Sequence, residues 1–125
     1  NSMTKPRTNP DRELFGIIGT VEDVSSEKKW WNAQFLEKGI DAFMDSYPSK
    51  EKELPERLSE MFHFDRRGYI VGKPLQEAII PLLDALDTSA EGEGRVDFVS
   101  NASGVMTGFA GADRDKMWKI WIEKE

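Results

Sequence analysis

One histidine, four tryptophans, 23 carboxylates and no cysteine set the chemistry that this chain of 125 residues can carry. His63 lies between Phe62 and Phe64. A general base or metal site built on it needs partners from elsewhere in the fold, such as Asp65 or Asp84, and the spacing nominates neither. Glu53, Glu56 and Glu60 share one side of a helix, as do Asp41 and Asp45, an arrangement that can hold magnesium. Lys52 and Arg57 interleave with the glutamates, which is the pattern of a solvated face. Gly92-Glu93-Gly94 is flanked by acids and followed by no Lys-Ser or Lys-Thr, so it makes no phosphate cradle, and Gly16 and Gly19 are too sparse for a dinucleotide fingerprint. Ser103, in Asn-Ala-Ser-Gly, lacks the strand-turn-helix setting of a serine nucleophile. The expectation is no catalytic residue, no metal ligand set and no cofactor.

Tryptophan and acid are what remain. Trp30 and Trp31 are adjacent, about 100° apart on a helix, so both cannot point into one core. Trp118 and Trp121 are an odd number of residues apart and would face opposite sides of a strand. Trp30 and Trp121 are therefore predicted to be exposed anchors of the type that carries binding energy in small patches. The net charge is −6, and between Asp84 and Asp97 five acids stand against Arg95. That balance excludes a protein whose affinity comes from neutralising phosphates, and a DNA-reading helix over 74–87 would carry Glu77, Asp84 and Asp87 where cations are needed.

These features predict a non-enzymatic, acidic protein-binding module, for instance an inhibitor or immunity-type partner of a basic enzyme. Its binding residues would be Trp30, Trp121, Asp84, Asp87, Glu91 and Glu93. The partner would be another protein, with self-association as a further possibility and neither nucleic acid nor membrane involved. The alternative is a small-ligand domain with a cleft lined by Trp30, Phe64, Tyr69 and Trp121. The absence of cysteine and of an apolar run of roughly 20 residues points to the cytoplasm. Asn1 and Ser2 before Met3 read as a cloning remnant on a flexible basic arm, residues 1–9, with one globular domain over 10–125.

The elements that must position these residues are read from periodicity. Trp31, Phe35, Leu36, Ile40, Phe43, Met44 and Tyr47 recur at helical spacing, predicting one long helix over 25–47, opened by Ser25 or Ser26 and stopped by Pro48. Pro10 and the acids after it predict a helix over 10–23, although Ile17, Ile18 and Val21 favour strand. A short helix follows Pro55, Tyr69-Ile70-Val71 reads as a strand, and 74–87 reads as a helix bent at Pro81. Residues 87–94 read as a loop, 96–109 as a β-hairpin turning at 101–104, and 117–123 as a third strand. The resulting fold class is α+β: three to four N-terminal helices on a small C-terminal antiparallel sheet of about three strands.

Overall fold

The computed structural model describes residues 13–19, 23–63, 66–102 and 104–123, with backbone alone at 60–63 and 66. The predicted basic arm, Phe64, Asp65, Ser103 and the side chain of His63 lie outside that description.

The first correction is at the first strand. Glu13–Ile18 is not a helix but strand β1, and Leu14, Phe15, Ile17 and Ile18 are all buried. A strand covered on both faces reads as a continuous apolar run, and here that run outweighed the helix-opening signals of Pro10 and Asp11. The long helix is also two elements. Helix α1 spans Val24–Glu37 and strand β2 spans Ala42–Tyr47. Gly39 takes φ +67° just past the helix, and the Ile40 amide bonds back to the Phe35 carbonyl at 2.8 Å. A left-handed residue there ends the helix and turns the chain. The N-cap is Asp23, whose carboxylate accepts from the Ser26 amide at 3.0 Å, rather than a serine.

Helix α2 (Leu54–His63) follows as read, and strand β3 (Arg66–Val71) contains the expected Tyr69-Ile70-Val71 but begins earlier, at Arg66. Instead of one bent helix, 73–86 holds two short 3-10 turns, Lys73–Leu75 and Ile80–Leu82, and the two-residue strand β4 (Ala85–Leu86). Pro74 and Pro81 each start one of those turns, where a missing amide costs nothing. The expected loop forms helix α3 (Thr88–Glu93), capped by Asp87 and closed by Gly94 at φ +70°. The hairpin is strands β5 (Phe98–Ala102) and β6 (Val105–Phe109). The expected third strand is helix α4 (Arg114–Trp118), extended by a wider π turn, Lys119–Glu123.

All six strands join one mixed sheet, ordered β2-β1-β3-β5-β6-β4. β1, β2 and β3 are parallel, β5 runs against β3 and β6, and β4 is parallel to β6. The three-stranded antiparallel sheet under a helical layer is thus replaced by a sheet with helices on both faces. Alternation along the strands divides the core. Phe15, Ile17, Ile70 and Phe98 join Trp31 and Phe35 of α1 and Met117 and Trp121 of the C-terminal helix, whereas Ile18, Tyr69, Val71 and Val99 join Leu54 and Leu58 of α2. Each fully buried aliphatic or aromatic side chain contributes roughly 1.5–3 kcal/mol. Gly68 in β3 leaves room for the Trp121 indole, which would overlap any Cβ there, and Trp121 Nε1 donates to the Val99 carbonyl at 3.1 Å.

Candidate functional site

The strand order locates the site before any side chain is considered. β1 sends the chain to α1 on one face of the sheet, and the neighbouring β3 sends it to Leu75 and Ile79 on the other. Where adjacent parallel strands send their connections to opposite faces, a crevice opens at their carboxyl ends, and ligands of open α/β sheets bind there. A row of backbone bonds marks this edge: Gly19 amide to Tyr47 carbonyl at 3.0 Å, Gly72 amide to Ile18 carbonyl at 2.7 Å, and Val71 amide to Asp97 carbonyl at 2.9 Å. Because β5 is antiparallel, its beginning, with Arg95 and Asp97, stands on the same edge as the end of β6.

Two recesses open on that edge. One, of about 380 Å³, lies against the start of α1 and is lined by Asp23, Ser26, Glu27, Ile70, Ala112 and Arg114. Its charged groups are mutually engaged. Glu27 accepts from Trp31 Nε1 at 2.9 Å and from Arg114 Nη2 at 2.9 Å, and the Arg114 guanidinium sits 4.3 Å from the Trp30 ring centroid. The other, of about 600 Å³, lies on the opposite side of the crevice and is lined by Glu51, Lys73, Gln76, Glu77 and Arg95. Arg95 is held by Asp97, which is 5% exposed and also accepts from the Gly111 amide.

The predicted binding residues are not brought together. Trp121, expected on the surface, is 1% exposed and touches Phe15, Trp31 and Phe98. Trp30 is half-buried between Trp31 and Arg114. Asp84 accepts from the Met106 amide at 2.8 Å, and its neighbours Leu83 and Leu86 pack on the face opposite Trp121. Asp87 caps α3, where the Ser89 hydroxyl and then the Ser89 amide hold its carboxyl below the ordinary range. Glu91 is exposed on α3, and Glu93 pairs with Arg95 at 3.0 Å. The alternative aromatic cleft fails on geometry as well, because Tyr69 and Trp121 lie on opposite faces of the sheet. Burial, and to a lesser extent the Asp84 carboxylate, push the Tyr69 hydroxyl well above its usual range, and it donates to Met106 Sδ.

Sequence reasoning missed Lys73, Arg95 and the Glu27–Arg114 pair. The Glu27–Trp31 spacing of four was legible on a helix. Arg114 lies 87 residues further along, and only the sheet brings it to Glu27.

Among the described residues no helix is long and apolar enough to cross a membrane. No family model matches the chain. Curated relatives do. The chain is 31% identical to a shikimate dehydrogenase (NADP(+)) of Dehalococcoides mccartyi, over 82% of this chain and 36% of the relative. It is 32% identical to the shikimate dehydrogenase (NADP(+)) of Listeria monocytogenes, over 86% of this chain and 37% of the relative. A crystal structure of shikimate 5-dehydrogenase from Listeria monocytogenes, in complex with shikimate and NAD, superposes with a TM-score of 0.77 at 28% identity, covering 90% of this chain and 39% of that one. These likenesses overturn the expectation of a non-enzymatic, acidic protein-binding module of the inhibitor or immunity type: the chain is similar, over little more than a third of their length, to shikimate dehydrogenases.

Proposed function

We propose that this chain binds a small polyhydroxylated carboxylic acid of the shikimate class in the crevice at the carboxyl ends of β1 and β3, as the substrate-side portion of a cytoplasmic oxidoreductase resembling shikimate dehydrogenase. The observation that carries this reading is the coincidence of two things: a topological switch point with recesses of ligand size, and likeness across nearly the whole chain to an enzyme whose structure contains shikimate.

The dinucleotide in the relatives' names does not fit the described residues. A dinucleotide diphosphate rests on the free amides at the start of the helix that follows the first strand. In this chain the Asp23 carboxylate already occupies the Ser26 amide, and Glu27 stands in the first turn. A diphosphate there would meet two carboxylates, so no step through a dinucleotide is assigned to this chain.

Titration of the ¹⁵N-labelled chain with shikimate and, separately, with NADP+ tests the reading. Shikimate is expected to shift amides at 23–27, 72–77 and 95–97, whereas NADP+ alone leaves them in place. Binding of NADP+ at the start of α1 with no response to shikimate would reverse the assignment.

A further inference from the structure

A further recess, of about 430 Å³, opens away from the crevice, on the face of the sheet that α2 covers. β5 begins and β6 ends at the crevice edge, so the turn that joins them stands on the opposite edge. The recess lies beside that turn. Its lining comes from three stretches: Pro55 and Leu58 of α2, Leu82 and Asp84 ahead of β4, and Gly104 and Met106 beside the start of β6. Leu82 is 40% exposed, a large apolar side chain that the fold leaves partly in water here.

Asp84 is the one charged group among the described lining residues. It is fixed by two bonds to one partner: its Oδ2 accepts from the Met106 amide at 2.8 Å, and its own amide donates to the Met106 carbonyl at 3.0 Å. Among the described residues no lysine or arginine pairs with it, which leaves Oδ1 for a cation from outside the fold. Met106 is fixed as well, because the buried Tyr69 hydroxyl donates to its sulfur at 3.0 Å.

A positioned carboxylate beside apolar walls sorts ligands by charge. An anion is repelled, a neutral hydrocarbon gains the walls alone, and an ammonium ion on a hydrocarbon body gains the walls and the ion pair together. A single carboxylate is too few ligands for a divalent ion, and among the described residues no three metal-ligating side chains gather anywhere.

We propose that the recess between α2 and the start of β6 binds a small organic ammonium ion, with its nitrogen on Asp84 Oδ1 and its hydrocarbon body against Pro55, Leu58, Leu82 and Met106. The site stands on the far edge of the sheet from the crevice and does not depend on what the crevice binds.

Three probes of one shape and different charge test it on the ¹⁵N-labelled chain: 2-phenylethylamine, 2-phenylethanol and 3-phenylpropanoate. At neutral pH the amine is expected to shift amides at 56–59, 82–86 and 104–107 and to leave 23–27 and 95–97 in place. The alcohol should bind the same residues more weakly, and the acid should not bind. In Asp84→Asn, which keeps an acceptor for the Met106 amide, the amine should lose about fivefold in affinity, the scale of an ion pair at an exposed carboxylate, while the alcohol is unaffected. Leu82→Ala, at a position already partly in water, should weaken amine and alcohol alike by about fourfold, the scale of one methylene group withdrawn from contact. Equal affinities of amine and alcohol for the parent, an amine affinity unchanged in either variant, shifts confined to the crevice residues, or no response to the amine would each overturn the proposal. If Asp84→Asn does not fold, the difference between amine and alcohol in the parent and their common loss in Leu82→Ala decide it.

Discussion

At the scale of single residues, two of the acids expected on a binding surface, Asp84 and Asp87, serve the fold. Asp84, Asp87 and Asp97 each accept from a backbone amide of the described chain, and Glu27 joins two helices through Arg114. A short polar side chain near a free amide is more useful as a cap than as a lure for a partner, and sequence shows its charge without its donor. Asp87 gives the cleanest test. Its folded-state pKa lies below the ordinary value of 3.8, because the charged form accepts from the Ser89 hydroxyl and amide. The resulting stabilisation is therefore complete above pH 3.8 and is lost as pH falls through the lowered folded value. Asp87→Ala should cost about 1 kcal/mol near neutral pH, the usual cost of losing an N-cap. In thermal melts from pH 7 to pH 2.5 the gap in Tm between the two proteins should narrow at the acid end. A gap that stays constant to pH 2.5 would mean that the carboxylate is not the stabilising group.

At the scale of elements, β2 is an edge strand that α1 has sealed. The Asn32 side chain donates to the Met44 carbonyl at 3.0 Å and accepts from the Met44 amide at 2.8 Å, on the side of β2 away from β1. The Ala42 amide goes to the Ile40 carbonyl, and the Ser46 amide to its neighbour Asp45. Unpaired strand edges invite pairing with another chain, and here the helix preceding the strand closes the edge with one amide side chain. Asn32→Leu removes both bonds while keeping similar volume. It should destabilise the protein by about 1–3 kcal/mol, the cost of leaving backbone groups unmet, and free the edge for self-association. Sedimentation velocity over a hundredfold range of concentration would detect the association; a variant as monodisperse as the parent would show that the edge is protected in some other way. The α1–β2 boundary also shows how the helical reading of 25–47 went wrong. Three-and-four spacing continues by coincidence through Ile40, Phe43, Met44 and Tyr47, but Gly39 turns the chain back and Met44 is buried in the sheet.

At the scale of the whole molecule, the C-terminal helix seals one face of the sheet, and a single glycine permits it. In Gly68→Ala the new methyl would overlap the Trp121 indole and threaten the bond from Trp121 Nε1 to Val99. Overpacking of this kind costs about 1–3 kcal/mol. Pairing it with Trp121→Phe should recover part of that loss, so the double variant is less destabilised than the two singles added together. Urea denaturation of the four proteins measures the coupling, and strict additivity would show that the two residues do not meet.

Sequence alone decided the elements whose signals are local: the helix opening at Leu54-Pro55, the short apolar strand at Tyr69-Ile70-Val71, and the hairpin around 101–104. What it did not decide was the arrangement of these pieces. Whether LFGII is a helix face or a doubly buried strand, and whether Trp118 and Trp121 belong to a helix or a ribbon, depends on what covers them, because a fully buried segment has no polar side to betray its period. The crevice is a property of the order β2-β1-β3, and it brings Arg95 and Lys73, or Glu27 and Arg114, onto one edge from distant parts of the chain. No local pattern encodes those meetings. They exist because parallel strands end together, and that alignment comes into being only when the sheet closes.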